Sequence, residues 1–342
     1  MGCSPAESPV GASMRAVGTR SAALDRLRET LRGRSEFSFI PDRDTAPLAG
    51  AARTQTGWRL LFAGFPSDYS LAFLLALLDL DDIEVVGLLT SPGAHPAILG
   101  DNALSRIADH IGVRLLRSWR VNDEHTILDL TALDLDAVVM ASFDQIIGPR
   151  ALAISRHGWM NVHPSALPAR RGPEPVYWTI ADGDPVAGIT LHRAVPKVDA
   201  GPILAQRTLE VAPDDTSGTL TRRLCELGTG IVGDGLERLL RDEPGDPLDL
   251  TGATYAPSVG HRHIDAAESV SAALRMIRAG VPNMPAWTTV DGRVTYVLAA
   301  HAGAPDPGRP GVNVADGMIT LDDYREQCGC HHNLVICPHL QE

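Results

Sequence analysis

From Trp58 onward the sequence alternates short apolar runs with longer amphipathic stretches, and this alternation constrains the fold more than any other feature. Arg59–Gly64 is typical of a buried strand, Ser67–Leu78 of a helix and Ile83–Leu89 of a second strand. Strands that alternate with helices need crossover connections, which place the strands parallel in one sheet with helices on both faces. We therefore predict an α/β fold with a Rossmann-like parallel sheet.

The pattern changes after a long predicted helix, Ser217–Arg241. A Pro- and Gly-rich segment then breaks the chain, and a second helix, Ala266–Arg278, precedes short β-type runs separated by Gly and Pro. Such spacing predicts a small β-barrel. The expected divisions are an N-terminal extension at 1–57, partly helical or disordered, the α/β domain at 58–243, the β-barrel domain at 250–323 and a tail at 324–342.

Both ends of the chain differ from this pattern. Residues 1–57 contain one amphipathic stretch, Ser21–Arg34, which predicts a short helix. The tail carries clustered Cys and His side chains, which are soft ligands of the kind found in a zinc knuckle. Their spacing matches no standard zinc finger, so we expect a lightly packed tail without a metal site. The clustered residues are Cys328, Cys330, His331, His332, Cys337 and His339.

The net charge of −12 argues against a nucleic-acid partner. A concentrated basic surface supplies most of the affinity for a nucleic-acid backbone, so a small-molecule partner is expected instead. The longest apolar run, Leu71–Leu80, is shorter than the ~20 residues of a membrane helix, and no membrane partner is expected. Five cysteines, an odd number, indicate free thiols in a reducing compartment. We predict a cytoplasmic protein.

Asn161 and His163 are the first residues that point to chemistry. They stand two apart at the end of a predicted strand, so their side chains point to the same side of the sheet. Pro164 cannot donate a ladder hydrogen bond and ends the strand. An amide and an imidazole therefore lie side by side at the strand's carboxyl end, where open α/β sheets bind ligands. Taken alone, N-x-H is also explained by two polar residues that bond their neighbours.

A longer set of motifs resembles the folate-dependent formyltransferase family, whose pattern is N-x-H-x-S-L-L-P, then R-G, then D-x-G. The matching segments are Asn161–Pro168, Arg171–Gly172, Gly188–His192 and Asp199–Gly201. The resemblance covers about 58–323, and its last part is similar to the C-terminal domain of methionyl-tRNA formyltransferases. It implies a Rossmann-like formyltransferase domain followed by a smaller OB-like β-barrel domain.

The resemblance also implies a reaction with roles for three residues. A substrate amine attacks the formyl carbon of 10-formyltetrahydrofolate, and negative charge develops on the formyl oxygen. Asn161 would donate a hydrogen bond to that oxygen, and a protonated His163 would stabilise the same charge. Asp199 would hold His163 and raise its pKa. Either His163 or a water bound to Asp199 would take the amine proton, and no metal is required.

The folate is expected between two loops, with the pterin at 143–147. The pocket can be largely apolar, because the pterin is flat and is read by backbone groups. Ala166 replaces a usual Leu of the family and is expected to enlarge the pocket wall. Glu174 stands where tRNA enzymes have a small residue, and it is either near the acceptor or a solvated loop carboxylate. The predicted lining residues are Ile146, Ile147, Ser165, Ala166, Leu167, Pro168 and Val198.

Three departures from the tRNA enzymes bear on the acceptor. Ser91–Gly100 contains no Lys or Arg where those enzymes carry a basic insertion, Ser258 stands at a usual Lys, and Val281–Pro285 replaces a Pro-Trp-Pro run. Without these cations the electrostatic attraction for RNA is weak. We therefore predict formyl transfer to a small amine, such as an amino sugar, an amino acid or hydroxylamine, or a biosynthetic intermediate.

Other functions stay open at this point. A methionyl-tRNA formyltransferase is the first alternative. A formyltetrahydrofolate hydrolase would use water as the acceptor, but such enzymes usually carry an N-terminal βαββαβ domain, for which 1–57 is too short. A non-catalytic folate-binding scaffold would not need Asn161, His163 and Asp199. The sequence does not indicate the oligomeric state.

Overall fold

The fold is described from a computed structural model that covers residues 57–91, 102–304 and 307–327. The predicted helix Ser21–Arg34, the segment 92–100 and the clustered Cys and His residues of the tail lie outside the described residues.

Seven strands form the first sheet, in the order β3-β2-β1-β4-β5-β6-β7. The pairs among the first five strands are parallel, whereas β6 pairs antiparallel with both β5 and β7. The sheet is therefore mixed at one edge, where the sequence pattern predicted no strand. The strands are β1 (Trp58–Gly64), β2 (Ile83–Thr90), β3 (Arg114–Arg117), β4 (Ala137–Ala141), β5 (Trp159–His163), β6 (Val186–Arg193) and β7 (Ile203–Glu210).

Helices cover the faces of this sheet. The first begins at Ser67, whose hydroxyl accepts the Ser70 N–H at 3.2 Å, and it is buried along most of its length. The single helix predicted at Ser217–Arg241 is two helices, because Gly230 ends one and the next starts two residues later. The helices are α1 (Asp68–Leu78), α2 (Asn102–Ile111), α3 (Glu124–Thr131), α4 (Pro149–Leu152), α5 (Pro175–Asp182), α6 (Ser217–Thr229), α7 (Val232–Leu240) and α8 (Val270–Gly280).

A second, antiparallel sheet of order β10-β11-β9-β8 follows. It curves as a half-barrel around α8, and Ile277, Val297 and Ile319 are buried between them. Together the two sheets confirm the predicted fold class, a Rossmann-like α/β sheet with a smaller C-terminal β domain. The strands are β8 (Ala286–Val290), β9 (Arg293–Ala302), β10 (Gly311–Val314) and β11 (Gly317–Glu326).

The segment that joins the two sheets packs back on the first one. Thr254 accepts the backbone N–H of Arg171 at 3.0 Å, and Ala256 donates to the carbonyl of Arg171 at 2.6 Å. Trp178 Nε1 donates to the carbonyl of Pro257 at 2.8 Å. The joining segment therefore supports the loop that follows β5. The bounds 58–243 and 250–323 stay predictions.

In the described part of the chain, none of the helices combines the length and the apolar character needed to cross a bilayer.

Thr190, on β6, anchors the loop that follows β5. Its side chain is fully buried, and Oγ1 donates to the carbonyl of Ser165 at 2.7 Å. The same oxygen accepts the N–H of Leu167 at 3.2 Å and Nε2 of Gln206 at 2.8 Å. One hydroxyl thus ties three points of the fold together beside His163.

We expect Thr190→Val to lower the free energy of unfolding by about 1–3 kcal/mol, because it leaves buried polar groups without partners at nearly unchanged volume. Thr208→Val, at an exposed position of β7, is the matched control and should stay within about 0.5 kcal/mol of the parent. Urea denaturation measures both. Equal stability of the two variants would show that the hydroxyl of Thr190 does not anchor the loop.

Candidate active site

Asn161 and His163 lie at the carboxyl end of β5, on the same side, as their spacing predicts. β5 is parallel to β4 on one side and antiparallel to β6 on the other, where Asn161 pairs with His192. His163 is 5% exposed. The edge of the sheet therefore presents both side chains within the body of the protein and not on an open surface.

Asp199 comes to these two side chains from the loop between β6 and β7. Its Oδ1 accepts Nδ2 of Asn161 at 3.1 Å, and its Oδ2 lies 3.8 Å from Nδ1 of His163. The N–H of Gly172 donates to the same Oδ2 at 2.8 Å. The three residues proposed as catalytic from the sequence thus meet around one buried carboxylate.

His192 completes the group and was not among the predicted site residues. Its Nε2 lies 3.2 Å from Nδ2 of Asn161 and 3.5 Å from Oδ1 of Asp199, and its side chain is 2% exposed. Its Nδ1 lies 3.0 Å from the carbonyl of Arg193, which can only accept, so Nδ1 carries the proton and Nε2 accepts from Asn161. Only the antiparallel pairing of β5 and β6 brings His192 to this place.

The R-G and D-x-G motifs have a physical explanation in the loop geometry. Nε of Arg171 donates to the carbonyls of Val198 at 3.1 Å and Asp199 at 3.0 Å, and so holds Asp199 in a left-handed conformation with φ of 46°. Gly172 has φ of 109°, and a Cβ there would lie 2.7 Å from the ring of Tyr255. A Cβ on Gly201 would lie 1.8 Å from the carbonyl oxygen of Arg193. Neither glycine can carry a side chain without moving Asp199.

His163 is held in one tautomer. Its Nε2 lies 2.9 Å from the carbonyl oxygen of Arg170, which can only accept a hydrogen bond, so the proton of the neutral ring is on Nε2. The basic nitrogen is therefore Nδ1, which faces Asp199. A proton taken up by this ring would be placed directly opposite the carboxylate.

The expected rise in the pKa of His163 is wrong. Burial lowers this pKa below its usual value and outweighs the opposing effect of Asp199, which raises it. For Asp199, burial raises the pKa, but the nearby ring of His192, the charge of His163 and the N–H of Gly172 together bring it down to about 2. At neutral pH the pair is therefore a neutral imidazole beside an ionised carboxylate.

The amide of Asn161 has no free N–H in this arrangement. Nδ2 carries two hydrogens, and it lies at hydrogen-bond distance from both His192 and Asp199. A hydrogen bond from this amide to a substrate oxygen therefore requires the amide to exchange one of these partners.

Comparisons with known proteins agree with this geometry. A family model described as "Formyl transferase" matches residues 89–233. A methionyl-tRNA formyltransferase of Acidothermus cellulolyticus is 37% identical over 279 residues, which span 77% of this chain and 83% of that protein. The chain belongs to the folate-dependent formyltransferase family. It is therefore an enzyme of formyl transfer.

Two further likenesses extend this result to the formyltransferase fold. A methionyl-tRNA formyltransferase of Mycobacteroides abscessus is 34% identical over 290 residues, 79% of this chain and 92% of that protein. The structure of an N-formyltransferase from Helicobacter canadensis, in complex with folinic acid and dTDP-3-aminofucose, has a TM-score of 0.59 at 14% identity and covers 78% of this chain and 100% of that one. At this identity the second likeness shows the fold alone.

The prediction of a small-molecule amine partner, with nucleic acid unlikely, is contradicted by these relatives, which are named for a tRNA substrate. The prediction relied on the net charge, on the absence of both Lys and Arg from Ser91–Gly100, on Ser258 at a usual Lys and on Val281–Pro285 in place of a Pro-Trp-Pro run. All but one of the 30 Lys and Arg residues in this chain are Arg, the exception being Lys197. Arginine binds phosphate in bidentate geometry, so a missing lysine does not by itself argue against an RNA partner.

The loop 143–147, predicted to receive the pterin, is fixed by side chains of its neighbours. Gln145 accepts the N–H of Val121 at 2.6 Å, and Asn122 donates to the carbonyl of Ile146 at 2.8 Å. The side chain of Ile146 is 67% exposed at the tip of the loop, whereas Ile147 is buried in the core under the sheet. The contribution of both residues to a folate pocket stays a prediction, as does that of the exposed Val198.

The other predicted lining residues follow β5. Ser165 and Leu167 are buried, whereas Ala166 and Pro168 are half-buried. Ala166 lies against Gly188 of β6: a Cβ added to Gly188 would be only 2.7 Å from the Cβ of Ala166. A small side chain at 166 therefore permits the loop to approach the strand. Folate contacts by these four residues stay predictions.

Glu174 precedes α5 close to the active-site loop. Burial alone raises its pKa to about 7. Its backbone N–H donates to the carbonyl of Ala256 at 3.3 Å. The carboxylate is half-buried, so the fully solvated alternative considered for it does not apply.

Metal sites are a separate question. Within residues 57–91, 102–304 and 307–327, no group of three or more His, Cys, Asp or Glu side chains is arranged to hold an ion.

We expect NMR titration to give His163 a pKa below the ordinary value of about 6.5, because burial disfavours the imidazolium. Asp199→Asn should lower the pKa further by removing the attractive charge. The ring resonance is assigned by its loss in His163→Gln. Glu174→Gln, which removes a carboxyl group whose pKa is raised to about 7, is the control and should leave the value unchanged. A pKa well above 6.5 in the parent would contradict this description.

Proposed function

We propose that this formyltransferase transfers the formyl group of 10-formyltetrahydrofolate to the amino group of methionyl-tRNA. The observation that carries the proposal is the match, at 37% identity, to 83% of the length of a methionyl-tRNA formyltransferase. The group formed by Asn161, His163 and Asp199 supports it, because it offers a base and hydrogen-bond donors at one point of the sheet edge.

The proposed role of His163 follows from its tautomer. The amine nitrogen adds to the formyl carbon, and Nδ1 of His163 accepts the proton that the nitrogen loses. The imidazolium formed is stabilised by Asp199, 3.8 Å away. The same proton then passes to N10 of the folate as the bond between N10 and the formyl carbon breaks. The products are formyl-methionyl-tRNA and tetrahydrofolate, so atoms and protons balance.

The proposed role of Asn161 is to stabilise the negative oxygen formed during this addition. Its amide must release His192 or Asp199 and donate to that oxygen instead. A donor of this kind contributes about 10²–10³ in rate when it is placed for the charge that develops. The hydrogen bond released leaves His192 beside Asp199, where the two side chains already lie 3.5 Å apart.

The proposed folate position lies between the loops that follow β4 and β5. Both strands end at the same edge because they are parallel neighbours, with Met140 opposite Asn161. The first loop is held rigid by Gln145 and Asn122, and the second by Thr190. Fixed loops of this kind offer backbone groups to a flat ring without large rearrangement. No metal is needed for the chemistry, because the charge is stabilised by side chains.

We expect the purified chain to formylate methionyl-tRNA when 10-formyltetrahydrofolate is present, as measured by formyl-methionine released after hydrolysis of the ester. His163→Gln should lower kcat/KM by about 10²–10⁴, because the general base is lost. The matched control is His301→Gln, which removes an exposed imidazole paired with Asp322 on the second sheet. This control should retain the parental rate.

Two results would contradict the proposal. One is the absence of formyl-methionine above the level seen with His163→Gln. The other is rapid release of formate and tetrahydrofolate without any amine, which would identify a hydrolase with water as the acceptor.

A further inference from the structure

A cavity of about 170 Å³ lies between α5, which packs on the first sheet, and α8, which packs on the second. It is separate from the active-site group around Asp199. The carboxyl end of α5, the turn before α6 and one side of α8 form its walls. Among the residues that line it are Thr179, Gly183, Asp184, Asp215, Arg275 and Arg278. None of the residues given a role in formyl transfer lines this cavity.

Two arginines of α8 line the cavity, and they differ in their hydrogen bonding. Arg275 is fixed by hydrogen bonds to the carbonyl of Ala181 at 3.0 Å and to Ser271 at 2.8 Å. The half-buried side chain of Arg278 has no hydrogen-bond or salt-bridge partner in the described part of the chain, and its Nε is buried without a partner. Burial and the charge of Arg275 lower the pKa of Arg278, and the charge of Asp214 opposes this shift. Since buried donors are almost always satisfied, Arg278 lacks an acceptor.

The carboxylates of the cavity already have cations of their own. Asp184 accepts Nε and Nη2 of Arg170, both at 2.8 Å. Asp215 accepts Thr219 Oγ1 at 2.9 Å and pairs with Arg223. Neither carboxylate that lines the cavity is therefore paired with Arg275 or Arg278 of α8.

We propose that this cavity binds a single phosphate group through Arg278 and Arg275. The planar guanidinium group of arginine can donate two parallel hydrogen bonds to the oxygens of one phosphate. The volume is below the roughly 300–1,000 Å³ of sites for drug-sized ligands, so it accommodates one anionic group and not a whole nucleotide. A backbone phosphate of the tRNA supplies the group if the proposed function holds, and free inorganic phosphate is the other source.

The position of the cavity connects it to the active site. Asp184, on its wall, holds the side chain of Arg170, whose carbonyl fixes the tautomer of His163. A phosphate at Arg278 would therefore lie beside the turn after α5 that carries Asp184. Binding at the cavity would therefore fix the position of the substrate's backbone relative to His163 and the reacting amine.

Thermal denaturation with inorganic phosphate, against chloride at matched ionic strength, tests the site without tRNA. We expect phosphate to raise the Tm of the parent, because a ligand that binds only the folded state stabilises it. Arg278→Gln should lose this increase, and Arg278→Lys should keep only part of it. Arg207→Gln is the matched control, because Arg207 is exposed and donates to the neighbouring carbonyl of Gln206. Equal shifts in the parent and Arg278→Gln, or no shift in either, overturn the proposal.

Salt dependence of methionyl-tRNA binding distinguishes the two sources of phosphate. If the tRNA backbone occupies the cavity, the slope of log K against log salt should fall in magnitude by about 1 in Arg278→Gln and stay unchanged in Arg207→Gln. A phosphate-dependent Tm shift with an unchanged slope supports the site and overturns tRNA as its source. Formyl transfer by the parent is measured separately, so failure of the proposed function is distinguishable from failure of this site.

Discussion

The buried carboxylate of Asp199 is the group on which the site depends. It is ionised at neutral pH inside the protein, which is costly for a charge without partners. Its partners come from separate segments: Asn161 from β5, His192 from β6 and Gly172 from the loop clamped by Arg171. Because each segment contributes one contact, the carboxylate is satisfied only when the sheet edge and both loops are folded together.

The first strands and helices, and the pair Asn161 and His163, were accessible from the sequence because they follow from local periodicity. The contribution of His192 was not, since it depends on the antiparallel register of β6 against β5. The same pairing places Thr190 under the loop after β5. The break at Gly230 was also missed, because an amphipathic pattern continues across it.

Two further errors have one physical origin, which is that burial and charge act locally. Asp199 does raise the pKa of His163, but the desolvation of a ring that is 5% exposed is larger, and no sequence pattern reports its size. Net charge likewise sums over the chain and conceals Arg275 and Arg278, which share one side of α8 and line the same cavity. The segment around Tyr255, predicted as part of the β-barrel domain, packs on the loop that supports Asp199.

Formyl transfer at this site requires that Asn161 exchange one of its partners and donate to the formyl oxygen beside Asp199. A crystal structure with a stable 10-formyl folate analogue tests this exchange. We predict the formyl oxygen within about 2.7–3.2 Å of Nδ2 of Asn161, with the formyl carbon on the Nδ1 side of His163. An analogue bound elsewhere, with the amide of Asn161 still bonded to both His192 and Asp199, would contradict this role of Asn161.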